Sequence, residues 1–191
     1  MKATIALISN NKSENFERKM MLEANKHGGM GFEMARLPQH VSLKQPFSIP
    51  NLEEMETFFD SFVKELSPFE IEFVDMDLFP SNVLDGVPSG YMSLRVKKTP
   101  ELSEVQKKLN EGLYKKFGPC PADHDNDYIF HMTFAIGGAS FESYQKAYNK
   151  LKKQDYKKSF LFSSNCTLFF PQGQIHLGET CSFTGRPNAR N

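Results

Sequence analysis

Two short stretches, His40–Leu43 (HVSL) and His131–Phe134 (HMTF), decide how this sequence folds. Each alternates polar and apolar residues, which is typical of a β-strand with one face buried. Side chains two positions apart in a strand point to the same face, so the histidine and the hydroxyl residue of each stretch share a face. The sequence therefore predicts two strands that each present an imidazole beside a hydroxyl group.

The elements predicted around these two strands follow the same order in both halves of the chain. Helices are expected at about 14–26, 51–66, 101–117 and 140–151, and strands at about 2–9, 40–44, 69–74, 91–96, 128–136, 159–170 and 174–183. In each half a helix precedes the histidine strand, and a second helix and a strand follow it. The order predicts an α+β fold of two pseudo-symmetric lobes, each an antiparallel sheet with flanking helices, around a central cleft.

The domain expected from this repeat is a single bilobal unit over 1–191. Lobe A would cover about 1–98 and carry the first histidine, and lobe B would cover about 99–185 and carry the second. Exchange of elements between the lobes stays open at this level. The chain length of 191 residues is typical of one domain or two small lobes with a shared core.

Composition excludes several classes of protein. Lys+Arg and Asp+Glu both number 23, so the net charge is zero, which argues against a protein that coats long nucleic acids. No stretch approaches the roughly 18 consecutive apolar residues of a membrane span. The three cysteines are an odd number without a CxxC pair, so we expect no disulfide framework and a cytoplasmic location. We also expect a monomer.

The paired imidazoles and hydroxyls suit phosphate-ester chemistry. Imidazole titrates near neutral pH, so one ring can accept a proton while the other donates one. The hydroxyls can donate hydrogen bonds to phosphate oxygens, and two facing lobes would place the rings on either side of one phosphorus. Each histidine taken singly also fits a simpler interpretation, a buried ring hydrogen-bonded to a backbone carbonyl.

The two stretches resemble the twin His-x-Thr/Ser-x motifs of the two-histidine phosphoesterases, which include the 2′-5′ RNA ligase-like proteins and related cyclic nucleotide phosphodiesterases. The resemblance implies a 2′-5′ RNA ligase-like fold. It also implies metal-independent action, without a cofactor, on a 2′,3′-cyclic phosphate or a 2′-5′ linkage of a nucleotide or RNA end. A non-catalytic module that binds a nucleotide or RNA end in the same cleft is the alternative.

The resemblance also assigns roles to four residues of this chain. His40 and His131 would be the catalytic acid–base pair, while Ser42 and Thr133 would hold the phosphate. In relatives that open a cyclic phosphate, the first histidine usually protonates the leaving oxygen and the second activates water. That order makes His40 the acid and His131 the base.

One departure from the family pattern concerns the charge that neutralises the phosphate. Several relatives carry an arginine shortly after the second motif, whereas residues 135–138 here are uncharged. Lys44 continues the alternation of His40 and Ser42, so we expect its ammonium to bind the phosphate. Lys44 could instead be a solvated strand end, in which case Arg36 or Arg95 is the candidate.

Other residues are weaker candidates. The loop His124–Asp127 contains metal-ligand residue types, but a solvated loop explains them as well, and no metal site is predicted. Phe47, Tyr128 and Phe130 flank the motifs and could stack on a base. Core packing is the better interpretation of these three rings. His176 alternates with apolar neighbours and is expected to face solvent from a strand.

Overall fold

The structure is a computed structural model that describes residues 2–82 and 88–162, together with the backbones of 165–169 and 181–182. His176 lies outside the described residues, as do the side chains of Cys166 and Cys181. The helices α1–α4 are Asn11–Gly28, Leu52–Lys64, Pro100–Phe117 and Phe141–Leu151, and a 3-10 helix covers Glu33–Arg36. The strands β1–β8 are Lys2–Ile8, His40–Ser48, Phe69–Ser81, Ser89–Val96, His131–Ile136, Ser159–Phe162, Asn165–Phe169 and Cys181–Ser182.

The strands form two antiparallel sheets. One has the order β2-β1-β7-β8 and the other β5-β4-β3-β6. Together with the flanking helices, the two sheets confirm the predicted fold class. The single strand expected over 159–170 is in fact two strands, because β6 and β7 belong to different sheets.

Each sheet draws strands from both halves of the chain. Strands β3 and β4, which precede residue 98, pair with β6 and β5, while β7 crosses back to pair with β1. The two histidine strands, β2 and β5, are each at the edge of their sheet, and they pack against each other. The fold thus brings the two edges that carry the histidines to one place.

Local chemistry sets the helix ends. The side chains of Asn51 and Ser140 accept hydrogen bonds from the backbone N–H groups three residues later, which caps α2 and α4 at their N-termini. Helix α1 ends at Gly29, whose φ of 66° lies in the left-handed region that glycine tolerates.

In the described part of the chain, no helix is both long and apolar enough to cross a membrane.

One continuous core joins the helices to both sheets. Its largest fully buried side chains are mostly aromatic and include Phe59 of α2, Phe73 of β3 and Phe134 of β5. Phe47 and Phe130 are each 1% exposed and belong to this core, as core packing predicted. The histidine strands therefore rest on a packed interior that fixes their position.

Candidate active site

The two histidine strands show the same pattern of burial. In β2, His40 and Ser42 are half-buried while Val41 and Leu43 are buried. The same alternation holds in β5, whose polar motif residues are half-buried between buried neighbours. The histidine and hydroxyl of each strand therefore share the face that remains open to ligands.

The two imidazoles are held in the same way. The Nδ1 atom of His40 lies 2.9 Å from the carbonyl oxygen of Pro38, and Nδ1 of His131 lies 2.9 Å from that of Ile129. A carbonyl oxygen only accepts hydrogen bonds, so Nδ1 of each ring must be the donor. In the neutral ring, Nε2 then carries the lone pair that can accept a proton. The carbonyl contact expected of an ordinary buried histidine is present, and it orients the ring for chemistry.

The electrostatics of the site link the two rings. Burial lowers the pKa of His40, the hydrogen bond to Pro38 partly opposes this, and the nearby positive charge of His131 lowers the pKa further. The two strands that carry the rings, β2 and β5, also pack against each other. The fold therefore brings the two predicted histidines together, and it favours a neutral His40.

Lys44 does not lie on the face of His40 and Ser42. Ser42 is opposite Ala6 in β1, but Lys44 is opposite Ile5, so β2 contains one extra residue at this point. Such a β-bulge shifts the alternation by one position and turns the following side chains to the other face. The structure therefore differs from the expectation for Lys44, which assumed an unbroken strand.

The ammonium of Lys44 contacts other protein groups. Lys44 is 2% exposed, and its Nζ donates to Asn110 Oδ1 at 2.9 Å and to the two carboxylate oxygens of Asp125 at 2.8 and 3.0 Å. The Asp125 carboxylate also accepts from the backbone N–H of Ala122 at 2.9 Å. Lys44 thus fixes the loop that precedes β5 to the first histidine strand.

Arg95 occupies the position beside the second histidine. In β4, Arg95 lies directly opposite His131, and Ser93 lies opposite Thr133. The Arg95 guanidinium donates from Nε to Asp77 at 2.8 Å and makes a second bond to the same carboxylate. Its side chain remains 42% exposed. Arg95 was one of two arginines left open by the sequence, and its place opposite His131 could not be known before β4 and β5 were paired.

A cavity of about 340 Å³ opens beside His131. Its lining comes from β2, β3, β4, the loop before β5 and the first residue of β5. The lining residues are Gln45, Asp77, Phe79, Tyr91, Ser93, His124, Asp127, Tyr128, Ile129 and His131. The rings of Phe79 and Tyr91 stack with their centroids 5.2 Å apart. Sequence reasoning missed these two rings, although the alternation of residues 91, 93 and 95 along β4 was a usable signal, and it considered Asp127 only as a possible metal ligand.

The loop before β5 holds the remaining candidates. His124 has a φ of 64° and lines the cavity, while Tyr128 is 4% exposed and its hydroxyl donates to the carbonyl of Ser42 at 3.0 Å. Over residues 2–82 and 88–162, no group of three or more His, Cys, Asp or Glu side chains is arranged to hold a metal ion.

A family model described as the 2′-5′ RNA ligase superfamily matches residues 22–167. The chain belongs to this superfamily. The match confirms the predicted resemblance and identifies the protein as a two-histidine phosphoesterase. No curated protein matches the chain.

Solved structures share the fold of this superfamily member at low sequence identity. TT0787 of Thermus thermophilus is 14% identical with a TM-score of 0.62, over 98% of this chain and 100% of that one. LigT of E. coli, complexed with 3′-AMP, is 12% identical with a TM-score of 0.59, over 96% of this chain and 98% of that one. Usb1 of Kluyveromyces marxianus with uridine monophosphate is 13% identical with a TM-score of 0.50, over 92% of this chain and 96% of that one.

Proposed function

We propose that the protein is a metal-independent phosphodiesterase that hydrolyses a 2′,3′-cyclic phosphate, or a 2′-5′ linkage, of a nucleotide or RNA end. The observation that carries the proposal is the matched pair of rings, each with Nδ1 bound to a carbonyl two residues earlier and close enough to influence each other. The nucleotides bound by LigT and Usb1 support a nucleotide substrate here.

The reaction needs one ring as base and the other as acid. We assign the base to His40, because its lowered pKa keeps the ring neutral at neutral pH. Nε2 of His40 takes a proton from water as the water oxygen attacks phosphorus. The bond from phosphorus to the leaving ribose oxygen breaks, and His131 gives its Nε2 proton to that oxygen. This order is the reverse of the one implied by the family resemblance.

The hydroxyls and one guanidinium would stabilise the charge on the phosphate. Ser42 and Thr133 lie on the same faces as the two rings and can donate to its non-bridging oxygens. Arg95 is opposite His131 and partly exposed, so it can reach the same phosphate while Asp77 holds its guanidinium. Arg95 thereby takes the role that the sequence offered to Lys44.

A substrate screen tests this proposal. Nucleoside 2′,3′-cyclic phosphates and 2′-5′ dinucleotides are incubated with the protein, with and without a chelator, and products are separated by phosphate position. We expect turnover that chelation leaves unchanged and that a variant with both His40→Ala and His131→Ala lacks. Turnover that disappears with chelator and returns with a divalent metal ion would contradict the mechanism.

The second candidate function is a binding module without turnover. It is favoured by the uncharged residues 135–138 and by the engagement of Arg95 with Asp77, which together reduce the positive charge offered to a phosphate. Binding of a nucleotide with no product, and with affinity unchanged by His131→Ala, would support this candidate. Product formation excludes it.

A further inference from the structure

The cavity beside His131 suits a planar ring. Its volume of about 340 Å³ is at the small end of ligand pockets, which suits a nucleobase better than a longer segment of nucleic acid. The stacked rings of Phe79 and Tyr91 form one wall, and Phe79 is 42% exposed. An exposed aromatic face of this kind stacks on nucleobases.

The charge of the cavity disfavours a second phosphate. Its described lining includes two carboxylates, Asp77 and Asp127, and no lysine or arginine. Arg95 offsets the charge of Asp77, but a phosphate group placed there would still face the like charge of the Asp127 carboxylate. The group that enters the cavity beyond the scissile phosphate is therefore uncharged.

The two carboxylates are not equivalent. Asp77 is bound through both oxygens by Arg95 and its side chain is only 11% exposed. Asp127 is exposed, and within the described part of the chain no side-chain partner is recorded for it. Asp127 is consequently the carboxylate whose oxygens can accept hydrogen bonds from a ligand.

The position of Asp127 is fixed from both sides. Its backbone N–H donates to the carbonyl of His124 at 3.2 Å, and the next residue, Tyr128, is bound to the carbonyl of Ser42. Two residues earlier, Asp125 is bound by the buried ammonium of Lys44. The loop is thus closed by one internal hydrogen bond and anchored to β2 at two points, so an acceptor on it loses little entropy when it binds.

We propose that Asp127 determines base specificity, by accepting a hydrogen bond from the exocyclic amino group of a cytosine or adenine stacked against Phe79. Uracil presents a carbonyl oxygen at the position where cytosine presents its amino group, so it would face the carboxylate with like polarity. The inference rests on the proposed function, because it places the base of the cyclic nucleotide in the cavity beside His131.

The test compares two nearly identical substrates. Wild type and Asp127→Asn are assayed on cytidine and uridine 2′,3′-cyclic phosphates, and the binding of 3′-CMP and 3′-UMP is measured by calorimetry. Wild type should prefer cytidine by about 10-fold, the value of one charge-assisted hydrogen bond. Asp127→Asn should abolish or invert the preference, because its amide can donate to the uracil carbonyl. Asp123→Asn changes an exposed acid of the same loop outside the cavity and should keep the preference.

The two measurements separate this inference from the function on which it rests. Failure to hydrolyse any cyclic phosphate, combined with a cytidine preference in binding that Asp127→Asn removes, would end the proposed function and keep the specificity. Hydrolysis of both substrates with a ratio that Asp127→Asn leaves unchanged would overturn the inference and keep the function. Phe79→Ala should raise KM for both substrates alike, and an unchanged KM would also overturn it.

Discussion

The two histidine strands match in their backbones. Each has a histidine and a hydroxyl residue on its open face, and each has a bulge immediately after them. In β2, Ser42 is opposite Ala6 but Lys44 is opposite Ile5, while in β5 Thr133 is opposite Ser93 but Ala135 is opposite Met92. The backbone arrangement that orients the imidazoles therefore occurs in both strands.

The same strands differ in the side chains that surround the two imidazoles. Ile8 lies opposite His40, whereas Arg95 lies opposite His131. At the bulge, β2 carries the buried cation Lys44 and β5 carries Ala135. The shared backbone places the two rings alike, whereas burial, which lowers the pKa of His40, distinguishes the first ring from the second.

The largest expected effect comes from removing each ring in turn. His40→Ala and His131→Ala should each lower kcat/KM by about 10²–10⁴, the usual contribution of a general acid or base. The two should fail differently in the pH profile. A base must be deprotonated to act, so in wild type kcat/KM should decrease on the acidic side as His40 becomes protonated. The midpoint of that decrease should lie below pH 6.5, because the pKa of His40 is lowered, and His40→Ala should remove this acidic limb.

The matching expectation for His131→Ala is loss of the alkaline limb, because an acid must be protonated to act. Kinetics of both variants over pH 4.5–9, a range chosen as roughly two units around imidazole titration, would measure this. If both variants lose the same limb, the two strands are equivalent and the division of roles does not hold.

The second prediction concerns Arg95, the charge found only beside the second histidine strand. Arg95→Met should lower kcat by about 10²–10³, as the loss of one preorganised donor to a developing charge does. Arg95→Lys should recover part of the activity, because it keeps a cation near His131. Arg36→Met removes the exposed arginine of the 3-10 helix and is the matched control. Equal activity of the two methionine variants would remove Arg95 from the site.

The third prediction concerns Lys44, the charge found only in the first histidine strand. Lys44→Met should lower the free energy of unfolding by about 3 kcal/mol, because it leaves the Asp125 carboxylate without its cation. The value is at the low end for buried pairs, since Asp125 is 27% exposed. Its measurement is urea unfolding followed by circular dichroism. Combining Lys44→Met with Asp125→Asn should recover stability, because no uncompensated charge remains.

Activity distinguishes this structural role from the phosphate role that the sequence suggested for Lys44. The variant should keep the kcat of wild type within a few-fold at temperatures where it is folded. A large fall in kcat with unchanged stability would show that Lys44 acts on the phosphate, and that its contact with Asp125 is incidental.

Lys44 also shows how far the sequence could predict the site. The alternation of polar and apolar residues located both histidine strands, and it correctly indicated which motif residues share a face. Alternation alone cannot reveal a bulge, because the extra residue is defined only by what the partner strand places opposite it. The face of Lys44, like the pairing of Arg95 with His131, therefore became known only from the register.

The arrangement of the strands was predictable to a similar extent. Local patterns gave the order of helices and strands, because they depend on neighbours in sequence. They could not show that β7 pairs with β1, or that β3 and β4 join the second sheet, since these pairings join distant segments. The cavity wall formed by Phe79 and Tyr91 depends on those pairings and was missed for that reason.

A final difference concerns the residues that bond to the backbone just before each motif histidine. Ser9 donates its backbone N–H to the carbonyl of Gln39 at 3.0 Å, and Val96 donates in the same way to Phe130 at 2.9 Å, each just before a motif histidine. Val96 is a buried apolar residue. Ser9 instead donates its hydroxyl to the fully buried carboxyl group of Glu17, at 2.9 Å from Oε1. A buried acid thus lies beside the first histidine strand, where the second has an apolar neighbour.

Burial raises the pKa of Glu17 to about 9, so the folded protein holds this carboxyl protonated while the unfolded chain ionises near 4.5. A raised pKa means that the folded state binds more protons between these values, so stability should fall as pH rises, by about 1.4 kcal/mol per pH unit from this group.

Glu17→Gln keeps an oxygen to accept from Ser9 and does not titrate. Its stability relative to wild type should therefore rise by about 2 kcal/mol between roughly pH 4.5 and 6. Urea unfolding at several pH values, with Glu23→Gln as the control on a partly exposed position of the same helix, measures the difference. Parallel pH dependences of wild type and Glu17→Gln would show that the carboxyl group of Glu17 ionises in the folded protein as it does in the unfolded chain.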